Sequence, residues 1–169
     1  MAEEEVAAHG ANASLEQIAR TAGVGSATVR RHFPTRRALL EAVSHDRIEV
    51  LRARAEALAG TRDGRAALLE WIGDVIASSV RSQGLAAALA FEGAEPESVN
   101  ENGCATALKA AGAPLLHRAA SDGAVQPGVT IDDVMTLIVG VVLATQHLPD
   151  PTAEAARLFA LTVAGLSPE

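Results

Sequence analysis

Apolar residues in this chain recur every three or four positions, block after block, and nowhere alternate over the length of a strand. Leu15, Ile18, Ala19 and Ala22 form the first clear block. Leu39, Leu40, Val43, Val50 and Leu51 form the second, and Leu68, Leu69, Ile72, Val75, Ile76 and Val80 the third. That period lines one face of a helix, and it predicts an all-α fold. The segments it marks are 2–8, 15–22, 25–32, 36–59, 62–83, 84–91, 104–121, 131–147 and 152–166, with Val24 and Val29 as the buried members of the third.

Punctuation residues bound these segments. Ser14 with Gln17 three residues on has the form of a capping box, and Gly23 supplies the positive φ of a tight turn. Gly10 suits the end of the first helix. Pro34 stops the third helix, Thr35 caps the fourth and Gly60 closes it. Glu92 to Gly103, with glycine, proline and four acids, reads as a loop. Pro114 predicts a kink or break in the helix around it. Thr130 is a good N-cap with Asp132 and Asp133 in the first turn, and Thr152 is the expected cap of the last helix. Helix 131–147 is apolar almost all round. Val134, Ile138, Val141 and Val142 look too many to bury in one small bundle, which points to a second subunit against that face.

Charge changes the picture locally. The formal net charge is −7, which by itself argues against a polyanionic partner. Between Ser14 and Arg37, however, five arginines face one acid, Glu16, while residues 55–169 carry six bases and fourteen acids. A basic head on an acidic body suits DNA binding at one end. Cys104 is the only cysteine, so no intrachain disulfide forms and a cytoplasmic setting is expected; a buried thiol is a simpler role for it than a redox sensor. The start MAEEEVAAHG lacks the basic and apolar regions of a signal peptide. The apolar run Val134–Ala144 is too short to span a bilayer, so no membrane partner is expected.

Two short helices joined by a glycine turn, the second rich in arginine and small polar residues, form a helix-turn-helix pattern. Its second helix would place Ser26, Thr28, Arg30 and Arg31 at base edges in the major groove. His32 and Arg36 fall where cations and helix-start amides meet phosphates. A plain helical hairpin with a basic face fits the spacing too. The wording of residues 14–43, SLEQIARTAGVGSATVRRHFPTRRALLEAV, resembles the DNA-binding signature of the tetracycline-repressor (TetR) family. The match rests on Ile18-Ala19, Ala22-Gly23-Val24, Thr28, His32-Phe33-Pro34 and Ala38-Leu39-Leu40. The resemblance implies that Thr28, Arg31 and His32 contact DNA, that Phe33 anchors the head, and that Arg36 takes the place of a phosphate-binding lysine. Arg30 departs from the family, which usually has tyrosine there, and Gly25 replaces the usual serine cap. The family's first helix extends further upstream than the segment 2–8.

These readings divide the chain into a helix-turn-helix DNA-binding domain, 1–47, and a helical effector-binding and dimerisation domain, 48–169. They predict a repressor that binds a double-stranded DNA operator as a homodimer through its last two helices. A small-molecule effector, mainly apolar, would release it, with Trp71, Leu89 and Phe91 as candidate lining residues. The five histidines are scattered with no metal-ligand spacing, and no nucleophile elbow, P-loop or dinucleotide fingerprint occurs. No metal, cofactor or catalytic residue is therefore expected. Two other readings remain: a helical small-molecule-binding protein with impaired or lost DNA binding, and a small helical enzyme.

Overall fold

Side-chain caps decide where most of the helices begin. In the computed structural model, which describes residues 2–9, 13–60, 63–82 and 103–165, the described residues form eight helices and no strand. They are α1 (Ala2–His9), α2 (Leu15–Ala22), α3 (Ser26–His32), α4 (Arg36–Ala59), α5 (Gly64–Arg81), α6 (Cys104–Ser121), α7 (Ile131–Thr145) and α8 (Pro151–Gly165). Ser14, Thr35, Asp63 and Thr130 each accept the backbone N–H three residues on, satisfying one of the amides a helix start leaves open.

Several local expectations are corrected. Ser14 accepts from Gln17 N, but the reciprocal bond to the Ser14 N–H comes from Glu5 Oε1 of α1 at 3.1 Å, not from Gln17. The last helix is capped by Asp150, whose Oδ1 accepts the Ala153 N–H at 3.0 Å. Pro151 then holds the first helical position, where its missing N–H costs nothing, so Thr152 is not the cap. The full reciprocal box belongs to Thr130 and Asp133. α6 runs unbroken through Pro114, which sits exposed at its surface. Val24 and Val50, expected inside, are exposed. The short helix expected at 84–91, the loop from 92 to 102 and the Gly10 cap lie outside the described residues.

α4, α5 and α6 pack on one another as the centre of the body. α7 and α8 pair with each other and lie on α5, and α1 packs on α2 and α4. The core is continuous from Val6 in the head to Ala155 in α8, with Trp71, Leu39, Leu40, Leu108 and Ile138 fully enclosed. α6 closes on α5 at Gly112, where an added Cβ would lie 2.5 Å from the Trp71 ring. Trp71 is itself held, its Nε1 donating to the Leu51 carbonyl of α4 at 3.1 Å. Ser44 of α4 and Ser79 of α5 are both buried, and neither hydroxyl has a hydrogen-bond partner among the described residues.

Val134, Ile138, Val141 and Val142 are all buried within the one chain. The inference that they overfill a single bundle is therefore wrong, because α5, α6 and α8 together supply enough wall. The large apolar side chains left open on the last two helices are Leu143 and Leu161, with Leu148 just beyond α7.

Candidate nucleic-acid interface

The turn between α2 and α3 is set by one residue. Gly23 has φ 66° and ψ 25°, the left-handed conformation that glycine adopts without penalty. Its N–H donates to the Arg20 carbonyl at 3.2 Å and the Val24 N–H reaches back to Ala19 at 3.1 Å. This paired closure of a helix end turns the chain so that α3 packs across α2. Gly25 opens α3 without a side-chain cap, consistent with the serine missing there.

α3 is one and a half to two turns long, and Val29 is its buried underside. Counting round the helix at 3.6 residues per turn, Arg31 lies opposite Val29 and points away from the head. Arg30 falls on the flank toward α2, and Thr28 and His32 on the other flank. Ser26, Arg30, Arg31 and His32 are exposed and Thr28 is half-buried. Phe33 ends the helix, its N–H on the Val29 carbonyl at 2.8 Å, and packs half-buried against the core. Arg36 is the first residue of α4; its side chain lies outside the described part of the structure. One α3 residue has an acidic partner that its spacing in the sequence did not reveal: Arg30 Nη2 donates to Glu16 Oε1 of α2 at 3.1 Å. The two are fourteen residues apart, and only the Gly23 turn brings them together.

α4 leads from this head into the body. A cleft of about 810 Å³ lies between α4 and α6 and reaches up to Ala38, in the first turn of α4. His45, Ile48 and Arg52 form part of one wall, and Cys104, Ala107 and Ala111 part of the other. A second, more apolar cleft of about 470 Å³ lies among α5, α7 and α8, against Leu68, Ile72, Leu137 and Phe159, and has no wall on α4. Trp71 lines neither cleft; it is wholly enclosed and bonded to Leu51. Leu89 and Phe91 lie outside the described residues. Among the described residues no helix is long and apolar enough to cross a membrane, and no cluster of three metal-ligating side chains occurs.

A glycine-turned pair of helices that exposes cations on the second, joined by one long helix to an all-helical body, defines a helix-turn-helix transcription regulator. Residues 1–43 match the bacterial regulatory proteins of the tetR family, and residues 63–168 match the C-terminal domain of SbtR-like transcriptional regulators. This chain belongs to the TetR family of DNA-binding transcriptional regulators, which is not a family of enzymes. It is similar to the TetR regulator SCO0520 of Streptomyces coelicolor, at 31% identity over 99% of this chain and 94% of that one, with a TM-score of 0.61. The TetR regulatory protein of Mycobacterium vanbaalenii follows at 28% identity, 99% and 90% coverage and a TM-score of 0.52. The regulator FadR of Bacillus subtilis, solved in complex with stearoyl-CoA, shares the fold at 18% identity, 97% and 95% coverage and a TM-score of 0.64. No curated protein matches the chain.

Proposed function

We propose that this regulator is a homodimeric repressor, that α3 reads its operator, and that a small molecule bound between α4 and α6 releases it. The domains are then 1–47, which binds DNA, and 48–169, which binds effector and partner. The reading surface is Ser26, Thr28, Arg30, Arg31 and His32 on α3, with Arg36 at the start of α4. Arg31 is suited to a guanine edge, where a guanidinium can donate two bonds, and Thr28 and His32 lie where they can reach base edges or phosphates.

The observation that carries the effector half is the course of the α4–α6 cleft. It shares a wall with the first turn of α4, next to the head, so a ligand wedged there changes where α4 points. A ligand shifts an equilibrium only by binding one state better than the other, and the second cleft, without a wall on α4, has no such direct lever. The alanines, Ile48 and Cys104 suit an apolar body, and His45, the paired Arg52 and Glu49, Glu41 and Glu56 a polar group on it. The stearoyl-CoA complex of FadR, whose likeness is one of fold alone, accords with an apolar-bodied ligand. Leu143 and Leu161, exposed on the paired helices α7 and α8, fit burial against a second copy, and a dimer presents two reading helices to a two-fold operator.

The test is binding of the full chain to the DNA upstream of its own gene, followed across a salt series. Saturable binding that is tighter than to a mixed-sequence duplex and falls with salt supports the reading. Absence of binding to either duplex at low salt refutes it and favours a helical ligand-binding protein.

A further inference from the structure

The carboxylate paired with the reading helix comes from α2. Glu16 is the single carboxylate among residues 14–37, and it is placed on the flank of α3 with its Oε1 3.1 Å from Arg30 Nη2. Both side chains are more than half exposed, at 60% for Arg30 and 68% for Glu16. An exposed pair of this kind adds little to folding, since water solvates either charge nearly as well. Its effect is on availability. A guanidinium held against α2 has part of its donor fork occupied and its charge locally cancelled, on the surface that meets a polyanion.

We propose that Glu16 is a positioning residue for Arg30: its carboxylate holds the guanidinium against α2 and withholds it from phosphates, which lowers affinity for DNA of arbitrary sequence. Phosphate contacts supply most of non-specific binding, and each one adds to the salt dependence. An arginine free to reach a phosphate would strengthen binding everywhere along the genome. The same arginine tethered to Glu16 contributes only where an operator offers enough to outcompete the carboxylate. Specificity here comes from a repulsive and competing element as much as from attraction.

This inference rests on α3 being the DNA-reading helix, and the experiment separates the two. Glu16→Gln, Arg30→Ala, the double variant and Arg31→Ala are compared with the unaltered chain by fluorescence anisotropy, on a mixed-sequence duplex and on the DNA upstream of the gene. Glu16→Gln is expected to tighten binding to the mixed duplex and to steepen the dependence of log K on log salt by about 0.9, one phosphate contact. Its advantage then shrinks about 3.5-fold between about 50 and 200 mM salt, and the ratio of upstream to mixed affinity falls. In the Arg30→Ala background the same change should leave the slope where it was. An equal slope change in both backgrounds overturns the proposal, because Glu16 then acts as a general repulsive charge. Unchanged or weaker binding by Glu16→Gln overturns it too. If Arg31→Ala alters binding to neither duplex, the assignment of α3 fails instead. Circular dichroism melts of all four variants should coincide with the parent's, as expected for exposed positions.

Discussion

Gly112 is the residue at which the packing of the body is most exposed to a single added carbon. In Gly112→Ala the new Cβ would stand 2.5 Å from two atoms of the Trp71 six-membered ring and 3.0 Å from Ile131 Cδ1. The ring cannot swing aside freely, because it is fully buried and its Nε1 donates to Leu51 O. Breaking that bond would leave a buried donor, the indole N–H, unpaired at about 1–3 kcal/mol. Overpacking in a core generally costs about 1–3 kcal/mol, against a helix-propensity gain of about 0.8–1.0 kcal/mol for glycine to alanine. Gly73, also inside a helix, meets only Phe159 at 3.9 Å, so Gly73→Ala keeps the gain without the clash. Urea unfolding of the two variants at one protein concentration should therefore place Gly112→Ala below Gly73→Ala by about 1–3 kcal/mol. Trp71→Phe removes the outer ring atoms, and in that background the Gly112→Ala penalty should largely vanish, which a double-mutant cycle reads directly. If Gly112→Ala proves as stabilising as Gly73→Ala, the close approach of α6 to Trp71 is wrong.

Four further outcomes are expected. Gly23→Ala forces a β-carbon into the left-handed region at about 1–2 kcal/mol, and should weaken DNA binding at a temperature where far-ultraviolet circular dichroism of the body is unchanged. Glu5→Ala removes the acceptor of the Ser14 N–H and should lower stability by about 0.5–1.5 kcal/mol, whereas Gln17→Ala, which has no such role, should cost less; the reverse order would restore Gln17 as the reciprocal partner. The Asp133 carboxyl is held below its ordinary value first by the Thr130 hydroxyl and then by the Thr130 N–H. A depressed folded-state pKa contributes stability above the unfolded value, and that contribution is lost as pH falls through the folded one. The gap in thermal midpoint between the parent and Asp133→Asn should accordingly be largest near neutrality and close in acid, and a gap independent of pH would refute the assignment. Finally, Leu143→Glu with Leu161→Glu should convert a dimer to a monomer in sedimentation velocity; an unchanged oligomer would move the proposed interface elsewhere.

The sequence was most readable where one residue decides the outcome alone. Both ends of α4 fall at the expected residues, because Thr35 and Gly60 act on their own neighbours. The Gly23 turn is equally legible, since no other residue type adopts its φ at so little cost. Readings failed where two parts of the chain compete for one group. Gln17 lost the Ser14 N–H to Glu5, a residue nine positions earlier, whose arrival depends on how α1 packs. Thr152 lost the start of α8 to Asp150, because Pro151 is content one position after a cap. The four branched residues of α7 are enclosed because α5, α6 and α8 surround them, and the number of walls available is a property of the packing, not of their own segment. Arg30 was readable as a cation on the reading helix, and Glu16 as an acid, but their meeting is not written in either.

The buried, unpaired Ser44 hydroxyl has a consequence for how α4 breathes. From Arg47 to Ala59 it is tied to α5 and α6 at four places: Arg47 to Ser82, Leu51 O to Trp71, Arg54 to Glu70 and Asp74, and Ala59 O to Arg118. Around Ser44, nearer the head, the helix instead buries a hydroxyl that gains nothing from being enclosed. Amide hydrogen exchange should then be graded along one continuous helix, slow from Arg47 to Ala59 and faster from Leu40 to Asp46. The half of α4 that carries the head thus encloses a polar group with nothing among the described residues to hold it.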